Sequence, residues 1–293
     1  MTDVVLTTNQ YGKAEIRVVR VVRDTDRHEI VDLNVTSQLR GDFEAAHVEG
    51  NNAHVVATDT QKNTVFAFAK DGISSPETFL LRLADHFTGE FDWVTGGRWA
   101  AEQYDWSRID DHDHSFYRSS PETRTAVAFR DGDETFVVSG FHGLTVLKTT
   151  QSGFVGYPKD KYTTLKETED RILATDIATR WRYNTTDVDF NAVYDSVKSI
   201  IMTTFTQGYS KALQQTLYQM AQAVISAHDS IDEIKFSCPN KHHFTYDLSF
   251  CGLDNPNEVF YAADRPYGLI EATVQRAGAE GAEAAWAGIT NFC

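Results

Sequence analysis

Cysteine and methionine are scarce in this chain of 293 residues, with three of each, and proline is limited to six. The cysteines, Cys238, Cys251 and Cys293, are odd in number and lack Cys-x-x-Cys spacing, which excludes a disulfide scaffold and gives no thiolate metal motif. They read as free thiols of a reducing compartment. No apolar run approaches the roughly 20 residues needed to cross a bilayer. The start, MTDVVLTTNQYGK, has neither a basic lead nor an apolar block, and the end, ITNFC, is not a Ser-Lys-Leu address, so a soluble cytoplasmic protein is expected. Positive charge is also short. With 27 Lys and Arg against 42 Asp and Glu the formal charge is −15, which argues against nucleic acid or an anionic membrane as a broad-surface partner. An anionic ligand must then meet a local cationic pocket.

What is present suffices for real cores: hydrophobic residues make up 41% and aromatics 12%, and the length suits two domains, expected at 1–140 and 141–293. KAEIRVVRVVRD and HEIVDLNVTSQLRGDF read as an antiparallel pair of strands, followed by a third strand in AHVVATDT. SSPETFLLRLADHF predicts a helix with Ser75 as N-cap and Pro76 at its first position, with Phe79, Leu80, Leu83, Ala84 and Phe87 on one face. EFDWVTGGRWAAEQYDW and TRTAVAFRDGDETFVVSGF return to strand, the latter turning near Asp131-Gly132. The second half repeats the plan. TVLKTT and RILATDI read as strands, two helices carry Phe190, Val193, Tyr194, Val197 and then Leu213, Leu217, Met220, Val224, and IDEIKFSCPNKHHFTYDLSF and NEVFYAADRPYGLIEATV close it as strands. Ala-Thr-Asp stands at Ala57 to Asp59 and again at Ala174 to Asp176, each read at the end of an early strand, which suggests a duplicated unit. The fold class expected is α+β, with helices on one face of antiparallel sheets.

Three stretches carry candidate chemistry. In DDHDHSFYR, His112 and His114 would share a strand face as zinc or iron ligands do, but no third ligand is evident and a polar strand entry is the simpler reading. In SCPNKHHF, Asn240 and His242 fall two apart on one face, where an amide and an imidazole can hold a small ligand and move a proton; a polar strand facing solvent fits the spacing as well. His243 is expected on the other face. In YTTLKETEDRIL, Lys166, Glu167, Glu169 and Asp170 read as surface charge, whereas Arg171 at a strand start can offer its guanidinium fork to a planar edge, with Gln214 as a further amide. Spacing alone does not bring these together.

Taken in order, YGKAEIRV, VATDTQKNT, YTTLKETEDRIL, ALQQTLYQMA and PNKHHFTYDL resemble the landmark segments of the urate oxidase (uricase) family, and they run from Tyr11 to Leu248. The resemblance implies two tandem tunnelling-fold modules per subunit and a homotetramer whose sheets form a tunnel-shaped barrel, with active sites shared between neighbouring subunits. It implies oxidation of urate by O2 and water to 5-hydroxyisourate and hydrogen peroxide, with no cofactor and no metal. Carried over by position, Phe154 stacks on the purine, Arg171 and Gln214 clamp its edge, Leu213 gives main-chain contact, and Asn240 sits where oxygen or water waits. Lys13, Thr58 and His242 form a proton relay, and Thr58 and Asp59 offer backbone N–H groups from the adjacent subunit. Leu213 departs from the valine of some relatives, which bears on pocket shape. A pterin-handling enzyme of the same fold and a non-catalytic purine-binding protein are the alternatives.

Overall fold

The computed structural model describes residues 3–293. In chain order its elements are β1 (Tyr11–Val22), β2 (Glu29–Gly41), α1 (Glu44–Val48), α2 (Thr58–Asp71), α3 (Pro76–Glu90), β3 (Val94–Tyr104), β4 (Ser107–Arg108), β5 (Phe116–Tyr117), β6 (Thr123–Asp131), β7 (Glu134–Lys148), β8 (Leu173–Tyr183), α4 (Phe190–Thr206), α5 (Leu213–Ala227), β9 (Ile231–Thr245) and β10 (Phe260–Gln275). Two compact units divide the chain, one of residues 1–140, 182–191 and 281–287, the other of 141–181, 192–280 and 288–293.

In the first unit β1, β2, β3 and β6 lie side by side in that order, every pair antiparallel, and the start of β7 follows. Alternation decides which face is covered: Leu33, Val35 and Leu39 of β2 and Trp99 of β3 point one way and are fully buried against Val65 of α2 and Phe79, Leu80, Leu83 and Phe87 of α3. Each such side chain contributes about 1.5–3 kcal/mol by leaving water. The start of α3 follows the sequence reading: the Ser75 hydroxyl accepts from the Thr78 N–H at 3.1 Å and Pro76 opens the helix. Its first turn buries Glu77, whose carboxylate accepts from Arg124 at 2.7 Å and from Ser139 at 2.6 Å. A single unpaired carboxylate there would be costly; the two donors satisfy it.

Two readings of local structure are corrected. AHVVATDT is no strand: the His54 carbonyl accepts from Trp93 Nε1 at 2.6 Å and the Val56 carbonyl from the Tyr11 hydroxyl at 3.1 Å, so side chains occupy groups a ladder would need. Helix α2 then begins at Thr58, with Ala57 as its N-cap, whereas the second Ala-Thr-Asp lies inside strand β8. The two tripeptides adopt different backbone structures and mark no structural repeat. His112 and His114 stand in the turn between β4 and β5, where Asp110 and Asp111 have φ of 47° and 56°, rather than on a strand. Their rings meet edge-on at 4.4 Å, and no group of three or more metal-ligating side chains forms among the described residues.

The second unit orders β7, β8, β9 and β10, with β9 and β10 antiparallel. Leu173, Ile177 and Trp181 of β8 and Ile234 and Phe236 of β9 are buried, as are Val197 and Ile201 of α4 and Leu217, Met220 and Val224 of α5. Tyr194 of α4 packs edge-on against Phe141 at 6.3 Å and tilted on Trp181 at 6.0 Å. Both units are thus mixed: antiparallel sheet with helices over one face. Among the described residues no helix is long and apolar enough to cross a membrane.

Candidate active site

A cavity of about 800 Å³ opens in the second unit. It gathers Phe154, Arg171, Leu213, Gln214, Asn240 and His242, six residues that sequence spacing could not bring together, across nearly ninety positions of chain. The means is a short strap at Gln151 to Phe154. On one side Phe154 exchanges backbone hydrogen bonds with Thr168 at 2.7 and 3.2 Å, and the Arg171 N–H donates to the Ser152 carbonyl at 2.9 Å. On the other, Gly153 N–H donates to the Ser210 carbonyl and Ser210 N–H to the Gln151 carbonyl, both at 2.9 Å, just ahead of α5. Aromatic ring, guanidinium and helix start are therefore mounted on one backbone cluster.

The ring of Phe154 stacks on Tyr157 with centroids 4.8 Å apart, and the Arg171 guanidinium carbon stands 5.3 Å from the Phe154 centroid. Burial lowers the Arg171 pKa below the ordinary guanidinium value, with Tyr209 opposing that shift, and arginine remains a cation throughout the physiological range. Leu213 and Gln214 open α5. Its N-cap, Ala212, supplies no side-chain acceptor, so first-turn N–H groups and the positive end of the helix are left for a ligand. A cation, a helix start and an aromatic face suit a flat anion.

Asn240 and His242 come from β9 where its partner strand breaks register, Gly268 facing Asn240 and Ala263 facing His242. The Gly268 N–H donates to His242 Nε2 at 3.4 Å. Burial, the Arg171 charge and His243, in that order, hold the His242 pKa below the usual imidazole value, so the ring is neutral near pH 7 and able to take a proton. His243 also contributes to the cavity lining. Four residues of β10 stand opposite Lys241 alone, an irregularity that bends the partner strand beside these side chains. Lys166 and Asp170, read as surface charge, line the wall too, as do Thr168, Asn257 and Phe260, which no sequence signal marked.

Lys13, Thr58 and Asp59 do not line this cavity and belong to the first unit. There Thr58 and Asp59 open α2, and the charge of Lys13 on β1 acts on Asp59. Lys13 pairs with Ser37, whose hydroxyl donates to Gln61 at 2.9 Å, one turn along α2 from Thr58. A bulge follows Lys13, with Glu15 at φ 60°. Asp59 has its pKa lowered first by the hydrogen bond from Lys62 and in smaller part by the charge of Lys13. Because Ala57 gives α2 no side-chain cap, N–H groups at Thr58 and Asp59 are also open to an acceptor. The buried Cys238 thiol is pushed up to about 12 by desolvation and is chemically quiet.

Fold and site define an α+β enzyme class with a pocket for a planar anion and proton-transfer groups at hand. The family model for uricase matches residues 9–128 and 137–271. The chain is 65% identical to the uricase of Arthrobacter globiformis over 292 residues, 100% of this chain and 97% of that protein, and 39% identical to that of Dictyostelium discoideum, covering 92% and 97%. The crystal structure of uricase from Arthrobacter globiformis superposes with a TM-score of 0.95, covering 98% of this chain and 100% of that one. A urate oxidase mutant from Bacillus sp. TB-90, 21% identical, shares the fold with a TM-score of 0.79 and coverage of 92% and 100%. The chain belongs to the uricase family. It is an oxidoreductase whose activity is the oxidation of urate.

A Cβ added at Gly153 would lie 2.0 Å from the Tyr209 hydroxyl. Gly153→Ala is expected to displace the strap and weaken urate binding by about 1–3 kcal/mol, with Tyr209→Phe in the same chain recovering part of the loss, as read by equilibrium binding. For His242, an NMR titration should give a midpoint below that of an ordinary imidazole, and Arg171→Ala should move it upward; an unchanged midpoint would remove Arg171 as a neighbour that matters.

Proposed function

We propose that urate is oxidised in the cavity of the second unit without cofactor or metal, and that the site is completed by Lys13, Thr58 and Asp59 of a neighbouring subunit in a homotetramer. The observation that carries this reading is the convergence of Phe154, Arg171, Gln214, Asn240 and His242 on one cavity, while Lys13, Thr58 and Asp59 lie in the first unit and outside that lining. Urate supplies its own electrons. Phe154 stacks on the ring, and Arg171 with Gln214 clamps its carbonyl and nitrogen edge, so the anion is held flat and oriented. The open N–H groups at Thr58 and Asp59 receive the opposite edge. Asn240 holds oxygen and later water above the ring, and Thr58, Lys13 and His242 move protons as a hydroperoxide forms and water displaces peroxide. Urate, O2 and water go in; 5-hydroxyisourate and hydrogen peroxide come out. The two domains of 1–140 and 141–293 are the tunnelling-fold modules of this assembly, in the cytoplasm.

Metal-stripped protein in air-saturated buffer should consume urate and O2 in equal amounts and release peroxide. Activity returning only with added metal would overturn the cofactor-free reading. Sharing between subunits has its own test. Lys13→Ala and Arg171→Ala variants, each inactive alone, should regain activity when reassembled together in equal amounts, to about a quarter of wild type if halves combine at random. No recovery, with mixed oligomers verified by mass, would place both halves in one subunit.

A further inference from the structure

Ser152 is fully buried, stands behind the cavity wall rather than in it, and meets Arg171 twice. Its carbonyl accepts from the Arg171 backbone N–H at 2.9 Å, and its Oγ accepts from Arg171 Nε at 3.3 Å. Ser152 is itself fixed, by a parallel bridge to Ser210, whose hydroxyl meets that of Thr216 at 2.8 Å in the first turn of α5. An arginine side chain has several rotatable bonds and a rigid planar fork at its end. A hydrogen bond at Nε removes rotation of that plane. No protein acceptor engages the two terminal nitrogens among the described residues, and they remain for a ligand.

We propose that Ser152 is a positioning residue for the oxidation: its hydroxyl sets the plane of the Arg171 fork so that both terminal nitrogens meet the urate edge together. This rests on the reading of Arg171 as the substrate clamp. Without the hydroxyl, the guanidinium still carries its charge and still reaches the cavity, but it samples several orientations and bidentate pairing becomes intermittent. The loss therefore falls on binding first, and on turnover to the smaller extent that urate is misoriented.

The test uses the full-length enzyme and reads KM and kcat for urate, the Kd for the planar purine xanthine, and thermal midpoints. Ser152→Ala should raise KM and the xanthine Kd on the order of tenfold, as for loss of one charge-assisted hydrogen bond, with a smaller fall in kcat. Ser152→Cys, nearly isosteric and a weak acceptor, supplies the same comparison should the alanine variant fold poorly. The decisive background is Arg171→Lys, which has no guanidinium Nε: there Ser152→Ala should cost no further affinity. An equal cost in both backgrounds would make Ser152 part of the packing only and overturn the proposal. Arg171→Lys binding urate and xanthine as wild type does would instead overturn the clamp on which it rests, while a large loss from Arg171→Lys with none from Ser152→Ala would retain the clamp and remove Ser152 from it.

Discussion

The backbone pairing of the strap at residues 151–154 is the constraint on which the cavity depends. It is only four residues long, too short to be stable alone, and it owes its shape to hydrogen bonds on both sides: to Thr168 and Arg171 along one edge and to Ser210 along the other. Gln151, at φ 61°, accepts backbone strain to make the turn. Gly153 is required by space, since the Tyr209 hydroxyl that donates to the Glu169 carbonyl at 2.6 Å fills the place of a Cβ. Ring, guanidinium and helix start are set by this one cluster, so a small change in the strap moves all of them.

Helices α1, α2 and α5 begin without a side-chain cap, at Phe43, Ala57 and Ala212. An alanine at that position forgoes on the order of 1 kcal/mol of helix stability that serine or aspartate would supply. Helix α3, by contrast, is capped by Ser75. In α2 and α5 the first turn holds residues proposed to meet substrate: Thr58 and Asp59 in one, Leu213 and Gln214 in the other. Free N–H groups at a helix start are a natural receptor for a planar anion, and the assignment explains why a protein of charge −15 can bind one.

Much of the secondary structure was legible because periodicity is a local property. The α3 stripe of Phe79, Leu80, Leu83 and Phe87, and its cap at Ser75, lie in the structure as the pattern predicts. AHVVATDT was misread because its carbonyls are taken by Tyr11 and Trp93, residues distant in sequence and invisible to a window of eight.

The sequence by itself determined the class, antiparallel strands with amphipathic helices, and through family resemblance the candidate residues and the chemistry. Tertiary structure decided which of those residues share a cavity. Phe154, Arg171, Gln214, Asn240 and His242 meet because strap, helix start and strand bulge are joined by nonlocal hydrogen bonds, and no spacing rule encodes such bonds. It also decided the electrostatics, since the lowered His242 pKa arises from burial and from a charge seventy-one positions away at Arg171. Composition fixes how many charges a chain carries; only folding sets the distances and the dielectric through which they act.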